Sequence, residues 1–188
     1  LTPTHEWAKS QGAVFVEVGQ WMRAQYFPRK GETTWRQTVD REVLATRAGV
    51  GICDVTTLGK VDVQGADAGE FLDRVYANAM KSLKVGMVRY GLMLREDGFA
   101  WDDGTCARLA EDQYVVTTTT ANAGTIYKHM EFCRQCLWPE LDVQLISTTD
   151  AWAQLSVAGP HARKLLERVV DGFDLSLIHI SEPTRQEA

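Results

Sequence analysis

Lys60-Val-Asp-Val-Gln64 alternates strictly between polar and apolar side chains, the pattern of a strand with one face covered. Runs of this kind recur along the chain, separated by helical stretches and by tight polar turns. Ala13 to Val18 reads as a strand ended by Gly19. Val88 to Leu94 reads as another, turned by Glu96-Asp-Gly98. A short strand over Phe99 to Trp101 is expected to turn at Asp102-Asp-Gly104. Thr105 to Leu109, and Tyr114 to Thr119 beyond a turn at Glu111-Asp-Gln113, continue the sheet. Asp142 to Ile146 and Trp152 to Val157 complete the strands. Hairpin-length turns between so many of them point to an α+β fold with largely antiparallel sheets and packed helices.

The helices are read from their spacing and caps. Trp35, Val39, Val43 and Leu44 recur at helical intervals between Thr34, placed to cap, and the glycines Gly49 and Gly51. Asp67 is placed to cap a second helix, with Phe71, Leu72, Val75 and Tyr76 on one face. A third is expected from Asn122 to Leu137, where Ile126, Met130, Cys133 and Leu137 form a stripe that Trp138-Pro139 closes. Pro160 opens a last one through Val169. Pro28 to Thr34 is a turn-rich link.

Composition excludes several classes. At 45% hydrophobic and 24% charged, the chain can bury a core and is not a disordered segment. A net charge of −5 argues against a phosphate-backbone footprint. No run approaches the roughly 18 apolar residues of a membrane-spanning helix, and no secretory leader is evident. The four cysteines, Cys53, Cys106, Cys133 and Cys136, are too few and too uneven for a disulfide framework, so a reducing cytoplasm is expected. Cys133-Arg-Gln-Cys136 lacks the second ligand pair of a zinc site and falls at a helix end rather than a redox-motif helix start. It reads as ordinary helix cysteines. His5, His129 and His161 are scattered, no metal site is expected, and no dinucleotide or phosphate-loop signature is present.

The chemistry-bearing stretch is Tyr90 to Gly104. Alternation along a strand sends one of Asp102 and Asp103 inward and the other to solvent. An inward carboxylate at a strand end can hold an amine or ring nitrogen by a charge-assisted hydrogen bond. The same Asp-Asp-Gly also reads as plain turn chemistry. Thr117-Thr-Thr-Thr120 suits a strand end that lines a pocket or an exposed edge.

Asp54-Val-Thr-Thr-Leu-Gly-Lys60, Gly86 to Leu94, Asp102-Asp-Gly104, the threonine run and Ala158-Gly-Pro160 resemble the glycine-cleavage T-protein (aminomethyltransferase) superfamily. Thr57-Leu-Gly-Lys60, Arg89-Tyr-Gly-Leu-Met93 and Trp138-Pro139 before Leu141-Asp-Val143 are most similar to its sarcosine oxidase alpha branch. The resemblance implies an aminomethyltransferase folate-binding fold, here an incomplete cloverleaf over residues 1–174. It implies that tetrahydrofolate is bound by Leu58, Tyr90 and Asp103, with Thr119 or Asn122 after the threonine run. Asp103, thirteen residues after Tyr90 and the second acid of its pair, would be the catalytic carboxylate that orients the folate amine. The implied reaction passes the one-carbon unit of oxidised sarcosine to tetrahydrofolate, giving 5,10-methylenetetrahydrofolate, glycine and hydrogen peroxide.

The implied partners are a flavin-bearing beta subunit and smaller subunits, with FAD, FMN and NAD held elsewhere in the complex. A stand-alone aminomethyltransferase, a dimethylglycine-dehydrogenase-like module and a non-catalytic folate-sensing module stay open as alternatives. The chain opens on Leu1 rather than Met, and Leu175 to Ala188 resembles translated sequencing-adapter sequence. Residues 175–188 are therefore expected to be an artefact tail. A further glutamate, an arginine and a third domain are expected beyond it in the family, so the isolated segment is expected to bind folate weakly and to be inactive.

Overall fold

The computed structural model describes residues 1–172; the expected tail at 175–188 lies outside them. In chain order the elements begin with α1 (His5–Ser10), β1 (Val14–Val18), β2 (Trp21–Tyr26), α2 (Trp35–Ala48) and β3 (Gly51–Asp54). There follow β4 (Gly59–Gln64), α3 (Ala68–Val75), β5 (Val88–Leu94), β6 (Ala100–Ala110) and β7 (Gln113–Thr118). The last are α4 (Ala123–Phe132), β8 (Gln144–Ser147), β9 (Leu155–Ala158) and α5 (Ala162–Val169). Every strand pairing among the described residues is antiparallel, so the fold is α+β, as the turn pattern implied.

The described chain divides into two compact units, residues 1–57 with 152–172, and residues 58–151. In the first, β1 and β2 form a hairpin and β3 pairs with β9. Both α1 and β2 escape the sequence patterns: α1 is a six-residue helix with no side-chain cap, and Trp21-Met-Arg-Ala-Gln-Tyr26 has no clean alternation. Thr34 caps α2 as expected, in a reciprocal capping box with Gln37. The helix is not seated by its apolar stripe, however. Trp35, Val43 and Leu44 are exposed, while Thr38 is 1% exposed. Thr38 Oγ1 donates to Glu32 Oε2 at 2.7 Å, and Arg41 bonds both Glu32 and the Phe27 carbonyl. The Arg41 guanidinium, then the Thr38 hydroxyl, hold the Glu32 carboxyl down at about 2. Polar anchoring to the 27–32 link orients this helix.

The second unit is a five-stranded sheet in the order β5-β6-β7-β4-β8, with its core between one sheet face and the helices α3 and α4. Val61, Val63, Cys106, Tyr114 and Val116 meet Phe71, Leu72, Ile126 and Met130 there, all 2% exposed or less. β4 is more enclosed than its alternation implied, because it runs between β7 and β8. Even Lys60 is 3% exposed, with its ammonium donating to the Leu58 carbonyl at 2.8 Å. Asp67 sits at the start of α3 but its carboxylate accepts from the Asp142 amide instead of capping the helix. The third expected helix ends earlier as α-helix, at Phe132. Cys133–Leu137 continue as a π-helical turn closed by Trp138 N–H donating to the Cys133 carbonyl at 2.8 Å. Cys133 is buried and Cys136 exposed, and all four cysteines are free thiols. Burial pushes the Cys106 thiol up to about 12.

The expected turn at Asp102-Asp-Gly104 does not exist: β6 runs through it without interruption. Gly104 serves close approach rather than a turn. A Cβ there would lie 2.0 Å from the Thr117 backbone oxygen on β7. Gly104→Ala is therefore expected to force β6 and β7 apart and lower stability by about 1–3 kcal/mol. Urea unfolding checks this; a variant as stable as the parent would show that the sheet can absorb the methyl group.

Candidate functional site

The carboxylate pair lies at the entry of β6, where the ladder with β5 slips. Leu92 faces Asp103 and Met93 faces Asp102, but Leu94 faces Ala100, so Trp101 is the extra residue of a β-bulge. A bulge bends its strand and re-aims the adjoining side chains. Trp101 packs against the core and its indole lies 4.5 Å from the His129 ring on α4. Asp102 follows it inward and is 5% exposed. Asp103 returns to the opposite sheet face, beside Leu92 and diagonal to Tyr90, whose partner on β6 is Thr105.

The two acids therefore differ in what they are free to do. Asp102 accepts from the Thr119 amide at 3.1 Å, the Thr119 hydroxyl at 2.6 Å and the Asn122 side-chain amide at 3.3 Å. Asn122 also donates to the Trp101 carbonyl at 3.2 Å. Asp103 is half-buried, and its carboxylate has no hydrogen-bond partner among the described residues. The inward acid of the pair is thus Asp102, while the open acceptor is Asp103.

A cavity of about 390 Å³ opens here, lined by Tyr90, Leu92, Trp101, both aspartates, Thr119 and Asn122. Its volume falls within the usual range for small-molecule sites. Four of the five expected site residues, Tyr90, Asp103, Thr119 and Asn122, share it. Leu58 does not line it; it sits on the loop before β4, half-buried, with its carbonyl held by Lys60. Trp101 and Leu92 were not singled out by sequence reasoning, since only the bulge and the cross-strand register bring them to the cavity. Behind Trp101, burial pulls His129 below the ordinary histidine range, and burial pushes the adjacent Cys133 thiol up. Among the described residues no cluster of His, Cys, Asp or Glu could hold a metal ion, and no helix is long and apolar enough to cross a membrane.

The antiparallel sheet backed by two helices matches the fold of a solved aminomethyltransferase. The crystal structure of glycine cleavage system aminomethyltransferase T from Bartonella henselae superposes with a TM-score of 0.79 at 26% identity, covering 94% of this chain and 44% of that one. The chain belongs to the GCVT N-terminal domain family, whose model matches residues 4–182. Its relatives include sarcosine oxidase subunit alpha of Rhizobium meliloti (strain 1021), 58% identical over 170 residues. The same subunit of Corynebacterium sp. (strain P-1) is 48% identical over 176 residues. These matches cover 90% and 94% of this chain but 17% and 18% of the relatives, so the chain spans less than a fifth of their length.

Proposed function

We propose that this chain is the folate-binding part of a sarcosine oxidase alpha subunit. In that role it receives the one-carbon unit from oxidised sarcosine on tetrahydrofolate, in a soluble cytoplasmic complex with a flavin-bearing subunit and smaller partners. The observation that carries the reading is the meeting of Tyr90 and Asp103 across β5 and β6 in one cavity. The relatives named sarcosine oxidase subunit alpha support this branch of the family.

The residues present fit a reduced folate. Tyr90, 57% exposed, offers an aromatic face to a flat ring system. Asp103 keeps both carboxylate oxygens available for an N–H donor, which a saturated acid such as Asp102 could not do. Tetrahydrofolate, when bound, supplies the amine nitrogens that take up carbon at the formaldehyde level. Asp103 would accept a hydrogen bond from such an amine, aim it at the incoming carbon and take up the proton released as the N–C bond forms. Thr119 and Asn122 would wall the far side of the ring. Leu58 rests on the family resemblance alone. For the whole enzyme the balance is sarcosine, dioxygen and tetrahydrofolate to glycine, hydrogen peroxide and 5,10-methylenetetrahydrofolate. Much of the benefit would be proximity, since the reactive carbon is captured without escaping into water.

A full-length host tests this: the Rhizobium meliloti subunit alpha with its 58% identical stretch exchanged for this one, assembled with its partners. Sarcosine labelled with ¹³C on the N-methyl group should yield labelled 5,10-methylenetetrahydrofolate and little free formaldehyde when tetrahydrofolate is present. Folate binding without label capture would favour the folate-sensing reading. Equal formaldehyde release with and without tetrahydrofolate, and no binding, would overturn a folate role altogether.

A further inference from the structure

We propose that Asp102 is a positioning residue: its carboxylate clasps Thr119 and Asn122 to the β6 bulge and so sets the rim of the cavity before any ligand arrives. The inference rests on the folate reading for the identity of the ligand, but the clasp itself is a property of the chain.

The corner between β7 and α4 lies where regular backbone pairing stops. β7 ends at Thr118, the ladder between β6 and β7 pairs no residue of β6 before Cys106, and α4 begins at Ala123 with no side-chain cap from Asn122. Residues 119–122 therefore lie beyond the sheet ladder and ahead of the helix. Asp102 bridges that gap with both oxygens: Oδ2 takes the Thr119 amide, and Oδ1 takes the Thr119 hydroxyl and the Asn122 amide. Asn122 is fixed twice, since the same amide nitrogen reaches the Trp101 carbonyl. At 5% exposure these bonds compete little with water. Strand alternation in step with the buried Cys106 turns Asp102 toward the corner while Asp103, the next residue, faces the open cavity, and the bulge adds Trp101 to the inward side. Adjacent acids are thereby divided into one that builds the site and one that is left for the ligand.

Asp102→Asn has one carbonyl oxygen for these donors and turns the other oxygen into a donor facing donors. It is expected to raise amide hydrogen exchange at residues 119–122 by about tenfold or more in the folate-free host, while Val61 and Val63 in β4 exchange at the parent rate. The same variant is expected to weaken 5-formyltetrahydrofolate about tenfold by calorimetry. Thr119→Val should weaken it as well, but add little on top of Asp102→Asn, because both break one bond. Should Asp102→Asn fail to fold, Thr119→Ser and Thr119→Val carry the test. Serine keeps the hydroxyl that reaches Asp102 and should bind like the parent, and valine should bind about tenfold more weakly.

Parent-like exchange at 119–122, fully additive losses, or equal affinities of the serine and valine variants would each overturn the clasp. Loosened exchange with parent-like folate affinity would overturn its role in the cavity. Tyr90→Ala and Asp103→Asn separate this from a failure of the folate reading. If those two also leave 5-formyltetrahydrofolate affinity untouched, the ligand is wrong; if they weaken it and Asp102→Asn does not, only the clasp is wrong.

Discussion

Asp103→Asn in the full-length host is expected to lower formation of 5,10-methylenetetrahydrofolate by at least about 10²-fold. A positioned acid–base group contributes roughly 10²–10⁴-fold to a proton-transfer step. Asparagine keeps the size and one acceptor oxygen of the side chain but cannot take up the proton. Because Asp103 faces the cavity and has no partner among the described residues, no internal network collapses with it. Stability should therefore change little, and folate affinity should fall far less than turnover. Single-turnover transfer from ¹³C-labelled sarcosine separates the two quantities. Transfer at the parent rate would remove Asp103 from the chemistry and leave the cavity as a binding site only.

The second large effect is on stability. Phe71 on α3 is 0% exposed and sits edge-on to Trp138, ring centroids 5.8 Å apart, at the centre of the second unit. Phe71→Ala removes a ring from between helix and sheet, and such truncations cost about 3–5 kcal/mol in transfer and cavity terms together. Domains have only about 5–15 kcal/mol of stability in hand, so this unit should be left close to its unfolding midpoint at 37 °C. Urea unfolding followed by circular dichroism measures it. A loss below about 1 kcal/mol would mean that the core refills the space and that Phe71 does not anchor it.

Position in the sheet was readable where one face is covered. Val88 to Leu94 was bounded from its pattern alone, and the Thr34 cap placed the start of α2, because both signals are local and backbone-encoded. The apolar stripe of α2 misled. Trp35, Val43 and Leu44 are exposed, since the seating of that helix depends on Glu32, Arg41 and Thr38 finding each other across a loop. β2 was missed because its residues are ordered by the pairing of Val18 with Trp21 and onward, a non-local register that leaves no period in the strand itself.

The site divides along the same line. The sequence by itself determined an α+β antiparallel chain with two adjacent acids near an aromatic residue and a threonine-rich strand end. Side-chain alternation required those acids to part, and the family resemblance chose Asp103. Only the tertiary structure decided how they part. The β5–β6 register puts Asp102 on the inward side with Met93, where it meets three donors, and leaves Asp103 on the face it shares with Tyr90. The physical reason is that register is a relation between two strands. It depends on how β5 and β6 pair, and no property of Asp102-Asp-Gly104 alone distinguishes an uninterrupted strand from the turn that those residues would otherwise favour.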